Sequence, residues 1–106
     1  MNSEAIVVLT TVPNAEAAER MARIIVEAKL AACVQVLLTM QSVYVWKDEV
    51  QTESENLLLI KTLRDKYDEL ERLIRANHSY DVPEIMALQA ERISETYLGW
   101  LRDSLA

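Results

Sequence analysis

The stretch Cys33–Thr62, CVQVLLTMQSVYVWKDEVQTESENLLLIKT, decides the fold. Two segments rich in β-branched, aromatic and other apolar residues, Cys33–Trp46 and Val50–Thr62, flank the polar Lys47–Glu49. Val34, Val36, Leu38 and Met40 alternate with Cys33, Gln35, Leu37 and Thr39, and Tyr44 and Trp46 continue the first series. A period of two predicts strands. The polar centre predicts a tight turn at which Asp48 takes a positive φ. The whole therefore reads as one long antiparallel hairpin. Its returning strand is polar in its first half and apolar in its second. Such a hairpin overhangs a small domain, and nothing obvious in the same chain covers its aromatic tip, Tyr44 and Trp46.

Outward from the hairpin, Ala5–Thr11 is short, β-branched and apolar on both faces, as a covered central strand should be. Asn14 is placed to cap a helix that carries Ala18, Met21, Ala22, Ile25 and Ala28 at helical spacing. After the hairpin, Thr62-Leu63-Arg64-Asp65 has the form of a capping box, and Leu63, Tyr67, Leu70 and Ile74 mark a second buried helix face ending near Asn77. A polar loop follows, in which Pro83 pushes Val82 toward an extended conformation. Glu84–Ala90 reads as a strand, and Ser94 caps a last helix with Tyr97, Leu98, Trp100, Leu101 and Leu105. This order predicts an α+β, ferredoxin-like split βαβ sandwich: an antiparallel sheet, a long hairpin and an extra C-terminal helix. Two helices cover one sheet face. The other face carries Val, Leu, Ile and Met, which calls for a further layer, and copies of the chain itself supply it most economically.

At 106 residues the chain suits one domain, taken as 1–106. A composition 51% hydrophobic excludes disorder. No apolar run approaches the ~20 residues of a membrane helix, so no membrane partner is expected. The opening MNSEAIVVL lacks the basic and long apolar segments of a signal peptide. Cys33 is the one cysteine, so no intrachain disulfide forms, and the expected compartment is the cytoplasm. Eleven Lys and Arg against 17 Asp and Glu give a net charge of −6 without any basic cluster, which argues against nucleic acid. The one glycine, Gly99, falls in a helical pattern, so no glycine-rich phosphate loop or nucleophile elbow is present.

KLAACV (Lys29–Val34), SVYVWKDEV (Ser42–Val50), LLLIKT (Leu57–Thr62), HSYDVPEI (His78–Ile85) and YLGWL (Tyr97–Leu101) follow one another in this order. Together they resemble the CutA family of divalent-cation tolerance proteins, in register over nearly the whole chain. The resemblance implies a ferredoxin-like protomer in a tight, PII-like homotrimer whose hairpins extend sheets between neighbours. It implies a role in tolerance of copper and other divalent ions, weak metal binding without an obligatory cofactor, and no enzymatic activity. The chain departs from the family pattern in places. Leu38-Thr39-Met40 stands where many relatives have Pro-Gly, and Ser79 where many have Pro. Thr10 and Asn77 stand where some have a cysteine and a second histidine. Loss of that thiol weakens the carry-over of copper binding, because thiolate selects Cu(I).

The candidate residues each carry two readings. His78, the one histidine, is a metal ligand completed by Cys33, Asp81, Glu84 or other protomers, or it is a ring that positions its loop by hydrogen bonds. Cys33 is a second ligand or an inert thiol in an apolar setting. Lys61, at a strand end before a helix, meets a small anion in a cleft shared with Tyr80, Asp81 and Trp46, or simply reaches water. Tyr44 and Trp46 wall that cleft from a neighbouring protomer or, with Met40, pack the trimer interface. Asp81 and Glu84 hold a hard cation or flank a fixed backbone turn at Pro83. The acidic Thr52–Asn56 reads as a solvated strand face. The function expected is a homotrimeric metal-response protein. The alternative is a PII-like binding module with a small anion or metabolite in intersubunit clefts. A hydrolase using His78 as base finds no readable nucleophile–base–orienter set.

Overall fold

The computed structural model describes residues 4–106, so the segment read for a leader begins outside the described residues. Strand β1 (Ala5–Val12) leads to helix α1 (Ala15–Glu27), strands β2 (Cys33–Val36), β3 (Met40–Trp46) and β4 (Glu49–Leu63), helix α2 (Tyr67–Asn77), strand β5 (Met86–Gln89) and helix α3 (Glu95–Ser104). The sheet order is β2-β4-β1-β5, with every pairing antiparallel, and β3 pairs with the outer half of β4. This is the ferredoxin-like α+β arrangement, with a hairpin projecting beyond it.

Local chemistry sets the element ends. Asn14 Oδ1 accepts the Ala17 amide at 2.8 Å and starts α1. The helix stops with two bonds, Lys29 N–H to Val26 O at 3.0 Å and Leu30 N–H to Ile25 O at 3.1 Å. That pair defines a Schellman stop, and its left-handed residue is Lys29, φ 58°, where glycine is usual. The hairpin turn likewise holds Lys47 and Asp48 at φ 52° and 65°, as a type I′ turn requires. The capping box expected at Thr62 does not form. Thr62 Oγ1 donates instead to Leu30 O at 2.7 Å inside the core, and a 3₁₀ turn at Arg64–Lys66 begins without a side-chain cap.

The long strand expected at Cys33–Trp46 is broken. Leu37, Leu38 and Thr39 lie between the pairs Val36↔Leu58 and Met40↔Glu55, so three residues oppose the two residues Asn56 and Leu57 of β4. This is a bulge, secured by Leu37 N–H to Leu57 O at 2.9 Å and by the Asn56 side-chain amide to Leu37 O at 3.0 Å. One extra residue shifts the alternation. Val34 and Val36 share the helix-side face with Ile60 and Leu58, whereas Met40, Tyr44 and Trp46 pair with Glu55, Gln51 and Glu49 on the opposite face. The single series expected from Val34 to Trp46 thus becomes two series on two faces.

On the helix side, Val8, Leu58 and Ile60 pack with Ile25 of α1 and Leu70 and Ile74 of α2. On the other side α3 covers one end, where Leu101 and Leu105 pack on Ala5 and Leu63. Arg102 of α3 pairs with Glu4 at the start of β1. The rest of that face stays open, with Met86 and Leu88 of β5 about half exposed at 49% and 50%. The last strand is also shorter than the expected Glu84–Ala90.

Candidate functional site

The loop after α2 is pinned to the sheet by its two rings. His78 Nε2 lies 2.7 Å from the Thr11 carbonyl oxygen. A carbonyl only accepts, so Nε2 carries the proton and Nδ1 has the free lone pair. That lone pair accepts the Tyr80 amide N–H at 3.1 Å. Both nitrogens of the neutral ring are therefore engaged, and neither offers a lone pair to a metal while the loop holds this form. The His78 and Tyr80 rings pack with centroids 4.7 Å apart. Tyr80 then extends its hydroxyl to Glu55 Oε2, donating at 2.8 Å. Strand-end backbone, imidazole, phenol and carboxylate form one chain linking β1, the loop and β4.

Glu55 is buried, with 7% of its surface exposed, although it belongs to the stretch expected to be a solvated strand face. The signal for it was parity: Glu53 and Glu55 share their face with Leu57 and Leu59, the face to which the loop returns. Burial first, and then the hydrogen bond to Glu55, push the Tyr80 phenol well above its ordinary value of 10. A hydrogen bond with Glu53 foremost also raises Tyr44.

Between this loop and the hairpin lies a cleft of about 660 Å³. Tyr44, Trp46 and Tyr80 supply its aromatic surface, Glu53, Glu55, Asp81 and Glu84 its carboxylates, and no Lys or Arg lines it. The structure thus brings Tyr80, Asp81, Glu84, Tyr44 and Trp46 to one place. It does not bring Lys61 there. Lys61 lies six residues from Glu55 along β4, about 20 Å at the rise of a strand. Its Nζ sits 5.8 Å from the Tyr97 ring centroid of α3. Cys33 is the cross-strand partner of Lys61, at the same far end. Met40 faces Glu55 at the base of the hairpin. A small anion in this cleft would meet carboxylates. Among the described residues, no group of three or more His, Cys, Asp or Glu is placed to hold a metal ion within one chain.

The sequence pattern of the CutA1 divalent ion tolerance protein family matches residues 6–104. The chain belongs to this family. It is 48% identical over 99 residues to the chloroplastic protein CutA of Arabidopsis thaliana, covering 93% of this chain and 54% of that protein. The chain thus spans about half the length of this plant relative. It is 43% identical over 98 residues to the divalent-cation tolerance protein CutA of Thermus thermophilus, covering 92% of this chain and 95% of that one. In structure it resembles the periplasmic divalent cation tolerance protein CutA of Archaeoglobus fulgidus, with a TM-score of 0.93 at 31% identity, covering 96% and 99% of the two chains. These relatives overturn the expectation of a cytoplasmic protein. Members of the family are described as chloroplastic and as periplasmic, so one unpaired cysteine and an unremarkable N-terminal sequence do not select the cytoplasm.

Proposed function

We propose that the chain acts as a homotrimeric divalent-ion tolerance protein, not an enzyme, that binds copper and related cations weakly. One domain spanning 1–106 carries this role. The observation behind the reading is the open sheet face together with the projecting hairpin. Val43, Val45 and Val50 are 67%, 68% and 73% exposed along one side of the hairpin, and Trp46 is 47% exposed on the other. Apolar surface on both sides of a projecting ribbon is what neighbouring copies of the same chain would cover.

Weak metal binding follows from the donor set. His78 spends both nitrogens on its loop, so carboxylates such as Glu84 are the ligands left in the cleft, and oxygen donors hold copper less selectively than thiolate or imidazole. A tighter site needs Cys33 or further carboxylates from a second copy. Native mass spectrometry with copper, zinc and magnesium tests both parts together. The expected result is a trimer that takes up copper with low affinity. A monomer, or a trimer that takes up no ion, contradicts the reading.

A further inference from the structure

We propose that the His78–Tyr80 contact is an acid-operated latch: a second proton on the His78 ring leaves the loop anchored to β1 but frees the Tyr80 backbone, and with it the hold of Tyr80 on the buried Glu55 of β4. The inference concerns control of the loop by protons, goes beyond metal tolerance and does not depend on it.

The two hydrogen bonds of the ring respond to a proton in opposite ways. His78 Nε2–H donates to Thr11 O at 2.7 Å, and Nδ1 accepts the Tyr80 amide at 3.1 Å. The first bond needs an N–H, which this neutral tautomer and the imidazolium both carry at Nε2. The second needs a lone pair, which only the neutral ring has. A proton taken from solvent by Nδ1 therefore keeps the anchor, now as a charge-assisted bond to a carbonyl. It turns the other contact into two N–H groups facing each other, and the Tyr80 amide must move away. The Tyr80 hydroxyl donates to Glu55 Oε2 at 2.8 Å, so that movement is felt at β4. Glu55 is 7% exposed, and a buried carboxylate that loses its donor draws in water.

The charged groups around the ring leave the exchange to these two bonds. Glu16 and Arg20 of α1 line the small cavity beside His78, both exposed and opposite in sign. Asn14 at the start of α1 and Asn77 at the end of α2, which line it too, are neutral. On the other side of the loop Glu55 lies behind the Tyr80 phenol, and Glu53, Asp81 and Glu84 line the cleft with it. Among the described residues, none of these carboxylates forms an ion pair with His78. No carboxylate thus stands in for the lone pair that the Tyr80 amide loses.

Nuclear magnetic resonance on isotope-labelled protein tests the latch, from about pH 8 to about pH 5, a range that brackets ordinary imidazole titration. At the upper end the ring nitrogens should report a neutral ring protonated at Nε2. As the ring gains its second proton, the protection of the Tyr80 amide against hydrogen exchange, corrected for intrinsic exchange, should fall about tenfold, with the midpoint of the ring itself. His78→Asn is the control. The Asn side-chain oxygen can accept an amide two residues on, as Nδ1 of His78 does, and it takes up no proton. Tyr80 protection in that variant should not change with pH, whatever its level. The parent protein decides the outcome even where the variant folds poorly. Tyr80 protection that ignores the titration of the ring overturns the proposal. So does a neutral ring that carries its proton on Nδ1, or a ring that stays neutral to the acid end of the range. An equal fall in His78→Asn also overturns it, because the change then belongs to the carboxylates around Tyr80.

Discussion

His78, the one histidine of the chain, is held in its loop by both ring nitrogens. Its Nε2–H anchors the loop to Thr11 O and its Nδ1 holds the Tyr80 amide. Removing the ring leaves a strand-end carbonyl and a loop amide to find other partners, each worth about 1 kcal/mol. His78→Ala should therefore cost about 2 kcal/mol in urea denaturation, and an unchanged midpoint would show that water replaces the ring without loss. Tyr80 gives a pH prediction at the same scale. Its phenol is held above the ordinary value of 10, chiefly by burial and then by Glu55. A group with a raised native value contributes stability that is complete below its unfolded value and fades as pH rises through the native one. The urea midpoint should fall above about pH 10, and Tyr80→Phe should flatten that fall. Parallel curves for the two proteins would remove Tyr80 from the account. The sequence singled out His78 and Tyr80 because rare residue types in a loop are conspicuous. It hid Glu55, because a glutamate in an acidic strand looks solvated until the returning loop is known to cover it.

At the scale of elements, helices α1 and α2 and the two outer limits of the hairpin were legible, since amphipathic spacing and caps are local properties. The bulge was not. Leu37-Leu38-Thr39 contains neither glycine nor proline, and its apolar residues continue a strand pattern without interruption. Only pairing with an unbroken β4 exposes the extra residue, and pairing is a long-range property. The expected capping box failed for a related reason: the Thr62 hydroxyl had a buried carbonyl, Leu30 O, within reach, and tertiary contact overrode the local motif. The left-handed positions carry a stability consequence. Lys29, Lys47 and Asp48 all hold positive φ, while the one glycine stands in α3. An L-residue in that region costs about 1–2 kcal/mol. Part of this returns to the unfolded chain when glycine is introduced, because glycine has more freedom to lose. Asp48→Gly should accordingly stabilise the hairpin by about 0.5–1 kcal/mol, read as a higher urea midpoint. A lower midpoint would mean that the Asp48 side chain makes a turn contact stronger than the strain it relieves.

The shape of the whole molecule follows from how unevenly its apolar surface is covered. The long axis spans 44 Å against 28 and 24 Å, because the hairpin continues past the helices that shelter the rest of the sheet. Within the sheet, α1 and α2 bury the helix-side face, and α3 closes one end of the other. Beyond those helices Val45 and Val50 face each other across the two strands, both largely exposed. Their contribution to the fold of one chain is small, about the 0.2–1 kcal/mol of a cross-strand pair. If copies of the chain cover them, their contribution to assembly is larger, since each valine then loses most of its contact with water. A charge placed there separates the two effects. Val45→Asp should leave helix content and the one-chain fold intact, as judged by circular dichroism, while it lowers the fraction of the proposed trimer in sedimentation at micromolar concentration. Buried in an interface, the same carboxylate has no partner and costs several kcal/mol. Exposed on a free hairpin, it costs almost nothing. A Val45→Asp protein that assembles as the parent does would place the contact between copies elsewhere, on Met86 and Leu88 of the open sheet face, where the same substitution can be repeated.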